Sequence, residues 1–366
     1  MVDASSPLIL VMAGGTGGHV YPALAVAREL EERGYRIAWV GTDRGLEARV
    51  VPAAGFALHV LPMRGVRGKS LFGRLLGVLM LLVALCEALV LVFKLKPVCV
   101  LGMGGYASGP AGAAAWLLRK PLLVHEQNAV AGTTNRLLAP LATEIVAGFA
   151  GAFKPAVAYN VLGNPVRAEF IAQAANAPWH FSGDRPLRLL VVGGSLGAKP
   201  LNELVPEAVR TVIDSGVAPG IEVWHQCGAA HGDAVRAAYT GVSESQVRVS
   251  EFVEDMATAY AWADVVVCRA GALTVAELAI MRRPALLVPL PHAIDDHQTA
   301  NARALADVGA GVLLKQSELS AQILAQRIEQ YLRSPEQLAK MSAACESVAR
   351  PKATQQVADR CEALAA

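Results

Sequence analysis

The amino-acid sequence predicts an α/β protein built from two Rossmann-like, doubly wound parallel-sheet domains. Three observations carry this. Short apolar runs alternate with longer helical patterns through nearly all of the 366 residues. The rhythm restarts near residue 187, and each half opens with a strand followed by a glycine loop. The chain is also longer than a single core usually sustains. Hydrophobic residues make up 54% and charged residues 17%, which excludes a disordered chain. The formal net charge of +2 is too small to suggest a nucleic-acid partner through bulk electrostatics, so any basic patch is local.

Residues 8–12 (LILVM) read as a buried parallel strand, followed by glycines and a helix through Leu24, Val26, Ala27 and Leu30. Residues 36–40, 98–101 and 122–124 read as further strands. The second half repeats the pattern at 187–192, 223–224, 247–249, 265–267 and 285–288. Such runs separated by helices imply right-handed βαβ units and a parallel sheet. The linker is expected near Gly163-Asn164-Pro165, with less regular sequence up to Pro186. Two such domains facing each other would leave a cleft at the carboxyl ends of their strands, where ligands bind in these folds.

The run from Leu75 to Phe93 is nearly all apolar, interrupted by Glu87, and about 18 apolar residues can span a bilayer. A span would put the strands before Leu75 and after Lys96 on opposite sides of the membrane and split the first sheet, so it is rejected. One remaining reading is a fully buried core helix. The other packs Leu75, Leu79, Leu82, Cys86, Leu89 and Phe93 on the sheet and leaves Val78, Leu81, Leu85 and Val92 outside. Surface helices are ordinarily polar outside, so that face would need a partner. Arg64, Arg67, Lys69, Arg74, Lys94 and Lys96 around it suit an anionic membrane surface.

The six cysteines (Cys86, Cys99, Cys227, Cys268, Cys345, Cys361) are scattered, with no CxxC pair. That is the pattern of free thiols in a reducing compartment, against a disulfide framework or zinc site. The N-terminus lacks a basic start, so no signal peptide is expected and the protein reads as cytoplasmic.

Neither glycine loop, Gly14-Gly15-Thr16-Gly17-Gly18 or Gly193-Gly194-Ser195-Leu196-Gly197, fits GxGxxG, and Ala198 and Pro200 break the P-loop pattern. Both still offer backbone N–H groups and a helix start to a diphosphate or sugar, or serve as tight packing turns. His19 opens the first helix and is a candidate general base. His125-Glu126-Gln127-Asn128 follows a strand, again at a carboxyl end, and four polar residues there are hard to explain by packing and point to binding or catalysis. Gly271 and the following residues, Ala272, Leu273, Thr274, Val275, Ala276 and Glu277, begin a helix suited to phosphate. Glu277 could accept from two ribose hydroxyls or simply favour the helix dipole. Asp295-Asp296-His297-Gln298 reads as an N-cap, and its Asp296 and His297 also look like metal ligands.

These residues resemble the MurG family, N-acetylglucosaminyltransferases that turn lipid I into lipid II in peptidoglycan synthesis. The resemblance runs in order over almost the whole chain. It takes in residues 14–19, Gly104-Gly105-Tyr106-Ala107-Ser108-Gly109-Pro110, residues 125–128, Gly163-Asn164-Pro165-Val166-Arg167, Gly193-Gly194-Ser195, Trp224-His225-Gln226, residues 272–277 and Asp296-His297-Gln298. It implies a GT-B architecture. Residues 1–164 would form an acceptor domain that associates with the membrane, 165–349 a donor domain, and a last helix from about 350 to 366 would cross back to the first domain. The donor would be UDP-N-acetylglucosamine, with no cofactor and no required metal. Donor contacts would be Thr16, Gly17, Gly18, Asn128, Arg167, Ser195, Val253 (reading uracil through its backbone), Ala272 to Glu277 and Gln298. Gly104, Gly105, Tyr106 and Ser108 would form the acceptor loop. Leu196 and Ala270 depart from the family pattern, which usually has glutamine and serine there, and so bear on a sugar or phosphate contact.

The chemistry implied is one inverting displacement at the anomeric carbon through an oxocarbenium-like transition state. His19 is the first candidate for the base that deprotonates the acceptor's C4 hydroxyl, with Glu126 and His125 after it. The family further implies a peripheral enzyme on the cytoplasmic face of the inner membrane, with roles in cell shape and division. The rivals are a UDP-sugar epimerase of the same fold and a non-catalytic nucleotide-sugar binding module.

Overall fold

The computed structural model describes residues 5–63, 71–291 and 293–366, with residues 71–76 and 294 described by backbone alone. Arg64, Arg67 and Lys69, and the side chains of Arg74 and Leu75, therefore lie outside the described residues. The chain forms two compact units, residues 1–167 with 351–366 and residues 168–350.

In unit 1, β1 (Leu8–Ala13) leads to α1 (Gly17–Glu32), then β2 (Arg36–Gly41), α2 (Glu47–Ala53) and β3 (Ala57–Val60). There follow α3 (Leu71–Leu95), β4 (Cys99–Gly104), α4 (Ser108–Leu117), β5 (Leu122–Glu126), α5 (Thr133–Leu138), β6 (Glu144–Ala147) and β7 (Asn160–Val161). The strand order is β3-β2-β1-β4-β5-β6-β7, all parallel. β1 is thus flanked by β2 and β4, the point where the winding direction reverses and ligands bind in such sheets.

Every residue of β1 is buried because both faces of the sheet are covered. Ile9, Val11 and Trp39 join a core with Val20, Val26 and Leu30 of α1. Leu10, Met12 and Val40 point the other way, into a core with Ala111 and Ala115 of α4. Two cores on one strand demand an apolar residue at each position, which is why the run shows no alternation.

Unit 2 contains α6 (Ala168–Asn176), β8 (Leu187–Val192), α7 (Lys199–Asp214), β9 (Ile221–Gln226), α8 (Gly232–Ala238), β10 (Val247–Ser250) and α9 (Met256–Trp262). It continues with β11 (Val265–Cys268), α10 (Ala272–Ile280), β12 (Ala285–Leu287), α11 (His297–Ala306), β13 (Gly311–Leu313), α12 (Ala321–Arg333) and α13 (Pro335–Ala344). Its sheet runs β10-β9-β8-β11-β12-β13, again all parallel. β8 holds the place that β1 holds in unit 1. The stretch up to Pro186, read from sequence as irregular, contains α6. One aromatic anchors that short helix: Phe170 is fully buried, with its ring centroid 5.9 Å from that of Tyr260. Nine residues offer too few turns for a periodic signal.

The last helix, α14 (Ala353–Ala365), belongs to unit 1. Val357, Ala358 and Cys361 are fully buried in the α1 core. Arg33 pairs with Asp359 at 2.7 Å, and Arg360 grips both oxygens of Glu144 at 2.7 and 2.8 Å. All six cysteines are free, and only Cys86 is exposed.

The structure corrects the expected facing of α3. Its buried positions are Gly77, Ala84, Ala88 and Val92, with Leu85 and Leu89 partly buried against the same core. Leu79, Leu82, Cys86 and Phe93, expected inside, are exposed, and Val92, expected outside, is buried. Val78 and Leu81 are exposed. Ala88 shares a core with the alanines of α4, Ala84 one turn earlier is also fully buried, and small side chains permit α3 and α4 to pack with close axes. The bulky residues consequently turn outward, so α3 is no buried core helix. By length and composition Gly77–Leu95 could cross a membrane. Yet β3 before it and β4 after it belong to one sheet, which a span would divide.

Candidate functional site

The loop after β1 is held from beneath by a residue that carried no sequence signal. Glu47, fully buried at the start of α2, accepts the Gly15 N–H at 2.8 Å through Oε2. Its Oε1 accepts the Thr42 N–H at 2.9 Å and the Thr42 hydroxyl at 2.8 Å. The Leu46 N–H donates to Gly15 O at 3.2 Å. A buried carboxylate is tolerated because such donors replace its hydration. Thr16 is the N-cap residue of α1, but its side chain makes no capping bond and is exposed. Gly17, Gly18 and His19, the first turn, are half-buried.

A second loop crosses this one at the end of β4. The register between β1 and β4 shifts at Met12/Ala13, so that Ala13 stands beside Gly104. Gly104 and Gly105 have φ of 98° and 96°, a region that favours glycine. Space demands it as well: a Cβ on Gly104 would lie 3.0 Å from the His19 ring, and one on Gly105 2.6 Å from Gly14 O. Ser108, expected in the acceptor loop, is buried, its hydroxyl directed at Gly104 O (2.7 Å) and Met12 O (3.0 Å). Tyr106 is exposed.

The polar run at the end of β5 separates into distinct roles. His125 is fully buried, with Nε2 3.0 Å from Gly163 O and Nδ1 3.0 Å from Gln127 Nε2. Burial pushes its pKa down to about 4. Glu126, also buried, accepts from Asn128 N (2.8 Å) and Asn128 Nδ2 (3.2 Å) on Oε1. Its Oε2 accepts from Gly132 N (3.0 Å) and Asn135 Nδ2 (2.8 Å). Gln127, part of the candidate run but given no role of its own from sequence, is fully buried with Oε1 2.7 Å from His19 Nδ1. Asn128 is half-buried, and the Arg167 guanidinium sits 5.5 Å from the centroid of the Tyr21 ring. Unit 1 thus gathers the 14–19 loop, Gly104, Gly105 and residues 125–128 at the carboxyl ends of β1, β4 and β5.

Unit 2 grips its loop in a similar way with an amide. Gln226, buried at the end of β9, accepts the Gly194 N–H at 2.9 Å and donates to Gly194 O at 3.0 Å and Glu251 O at 2.8 Å. A Cβ on Gly197 would meet Cys227 O at 2.2 Å. His225 is buried between the Tyr239 hydroxyl (3.0 Å) and Asn202 Oδ1 (3.1 Å), and burial lowers its pKa to about 3. Ser195 is exposed and Leu196 is 86% exposed, four and three residues before α7 begins. Ala270 is fully buried, and its carbonyl accepts from Asn301 Nδ2 at 3.2 Å.

α10 starts after Gly271, whose backbone is extended (φ −65°, ψ 147°). Ala272 and Val275 are buried, while Leu273, Thr274, Ala276 and Glu277 are half-buried. Val253 is buried between β10 and α9. Gln298, in the first turn of α11, accepts the Leu290 N–H at 2.9 Å. Asp296 adopts a left-handed conformation and accepts from the Thr299 hydroxyl at 2.7 Å. The candidates of this unit lie beyond the carboxyl ends of β8, β10, β11 and β12.

Residues 9–147 match the glycosyltransferase family 28 N-terminal domain and residues 188–357 the glycosyltransferase family 28 C-terminal domain. The UDP-N-acetylglucosamine--N-acetylmuramyl-(pentapeptide) pyrophosphoryl-undecaprenol N-acetylglucosamine transferase of Pseudomonas putida (strain W619) is 49% identical over 353 residues, 96% of each chain. The protein of that name from Azotobacter vinelandii (strain DJ / ATCC BAA-1303) is 50% identical, over 96% of this chain and 97% of its own. The crystal structure of Acinetobacter baumannii MurG matches with a TM-score of 0.84 at 38% identity, over 98% of this chain and 99% of that one. A UDP-N-acetylglucosamine 2-epimerase structure reaches 0.64 at 15% identity, covering 96% of this chain and 95% of its own, a likeness of fold alone.

Proposed function

Because the chain belongs to glycosyltransferase family 28, among the undecaprenol-linked N-acetylglucosamine transferases, we propose that it transfers N-acetylglucosamine from UDP-N-acetylglucosamine to a lipid-linked acceptor. The acceptor is undecaprenyl-diphosphate-linked N-acetylmuramyl-pentapeptide, glycosylated on the C4 hydroxyl of its muramic acid. The observation that carries this is identity near one half over 96% of the chain. Fold likeness alone would not separate a transferase from an epimerase.

The acceptor oxygen forms a bond to the anomeric carbon as the bond from that carbon to the UDP oxygen breaks, with inversion. The hydroxyl proton goes to His19. Glu126 and His125, the other candidates, have their polar atoms occupied by neighbours, whereas His19 Nε2 has no partner among the described residues. Unit 2 holds the UDP. The first turn of α10 faces its phosphates with N–H groups and a favourable dipole, Glu277 accepts from the ribose hydroxyls, and Val253 lies against the uracil.

The undecaprenyl tail keeps the acceptor in the bilayer, so the enzyme works peripherally at the cytoplasmic membrane face. The outward side of α3, with Val78, Leu79, Leu81, Leu82, Val83, Val90 and Phe93, is the contact. Burying about 300 Å² of apolar surface would give about 7 kcal/mol before orientation costs. Lys94 and Lys96 at its end add attraction to anionic headgroups.

Incubation with radiolabelled UDP-N-acetylglucosamine and lipid I tests the reaction. Label should enter the lipid-extractable fraction, with UDP released only when acceptor is present. Conversion of the donor to its 2-epimer without acceptor would overturn the assignment.

A further inference from the structure

We propose that Gln127 is a positioning residue that presents His19 to the acceptor as one defined tautomer, with the proton on Nδ1 and a bare Nε2. This rests on the reading of His19 as the base. A four-member hydrogen-bonded chain runs from Gly163 O through His125 and Gln127 to His19. Gly163 O, a carbonyl, can only accept, so the His125 Nε2 at 3.0 Å carries the hydrogen. His125 Nδ1 is then a lone pair and accepts from Gln127 Nε2 at 3.0 Å. The same nitrogen faces His125 O at 3.2 Å and Met103 Sδ at 3.9 Å. Three acceptors around one position fix the amide nitrogen there, because the flipped amide would set its oxygen against all three.

Gln127 Oε1 is thereby turned to His19 Nδ1 at 2.7 Å, which must donate. In the neutral ring Nε2 is then the bare nitrogen, the atom a general base uses. When Nε2 takes the proton, Nδ1–H stays on the amide oxygen and the ring need not turn. Glu126 is the acidic neighbour of His125, and burial keeps His125 neutral, so its Nδ1 remains an acceptor. The chain is set in place by tertiary packing: Gly104 has no Cβ to push the His19 ring away, and Asn164 Nδ2 donates to Gln127 O at 2.9 Å.

The test compares Gln127→Met, His19→Ala and the double variant in the full-length enzyme. Gln127→Met should lower kcat about 10- to 100-fold, part of the roughly 100- to 10,000-fold a positioned base supplies. Its KM for UDP-N-acetylglucosamine should stay within about 2-fold, and the double variant should be no slower than His19→Ala. Wild-type kcat in Gln127→Met, or a further loss of the same factor on top of His19→Ala, overturns the proposal. Near-wild-type kcat in His19→Ala overturns instead the reading of His19 as base. If Gln127→Met does not fold, Gln127→Glu decides. A carboxylate against Nδ1–H favours the imidazolium, so the acid limb of kcat against pH should move up by about 1 unit, and an unmoved limb overturns the proposal.

Discussion

Glu47 accepts the Gly15 N–H at 2.8 Å, and Gln226 accepts the Gly194 N–H at 2.9 Å. Gly15 and Gly194 both have positive φ, 92° and 82°, in the loop that follows the first strand of their unit. Each holding residue comes from the adjoining strand or the segment just beyond it, so each loop is braced from the same side. The braces differ in charge. Glu47 answers only donors, whereas Gln226 both accepts from and donates to Gly194.

That difference makes Glu47→Gln a sharp test of the first brace. The amide keeps one oxygen and turns an N–H toward either the Gly15 or the Thr42 N–H. One part-buried donor is left unpaired, at a cost toward the low end of about 1–3 kcal/mol. Urea unfolding should show that loss, and stability equal to the parent would mean that the brace is dispensable.

Glu277→Ala should raise the KM for UDP-N-acetylglucosamine while leaving kcat at saturating donor within about 2-fold. A carboxylate on ribose hydroxyls is engaged before and during transfer alike, which is uniform binding. Initial rates against donor concentration check this, and an unchanged KM removes Glu277 from the donor site.

Leu81→Ser with Leu82→Ser should weaken binding to phosphatidylglycerol-containing vesicles without loss of stability. Both side chains are about half exposed, 45% and 54%. Leu85 is unsuited to this test because it packs against the core. Vesicle flotation is the measurement, and turnover of a short-chain, water-soluble acceptor should survive. Unimpaired flotation would place the membrane contact elsewhere.

Stability should fall as pH drops from about 6.5 toward 4. His125 and His225 have folded-state pKa values lowered by burial to about 4 and about 3, against about 6.5 in the unfolded chain. In that window the unfolded state binds more protons, so the stabilisation is complete above 6.5 and lost as pH falls. Each proton contributes a slope of about 1.4 kcal/mol per pH unit. Urea midpoints between pH 7 and 5 measure it. A His225→Gln variant should show a shallower slope, and an equal slope would mean that His225 is not the source.

The inner strands were legible from sequence because a doubly covered parallel strand must be apolar at each position, as residues 8–13 are; β3, β6, β7 and β13, two to four residues long, were not read, being too short to stand out as apolar runs. The glycine loops were legible too, since close backbone approach leaves few residues to choose from. The polar run 125–128 stood out against its apolar strand. The facing of α3 was not legible: a helix apolar on all sides has no contrast for its period to report, and the inward side was decided by where Ala88 and Val92 fit into the core they share with the alanines of α4. Nor could sequence join His19 to Gln127, 108 residues apart, or Glu47 to Gly15. Those pairs exist because β1 lies between β2 and β4, with β5 beyond β4. Local composition therefore determined the inner strands, the helices that follow them and the glycine loops. Strand order decided which polar side chains meet, because a hydrogen bond depends on separation in space.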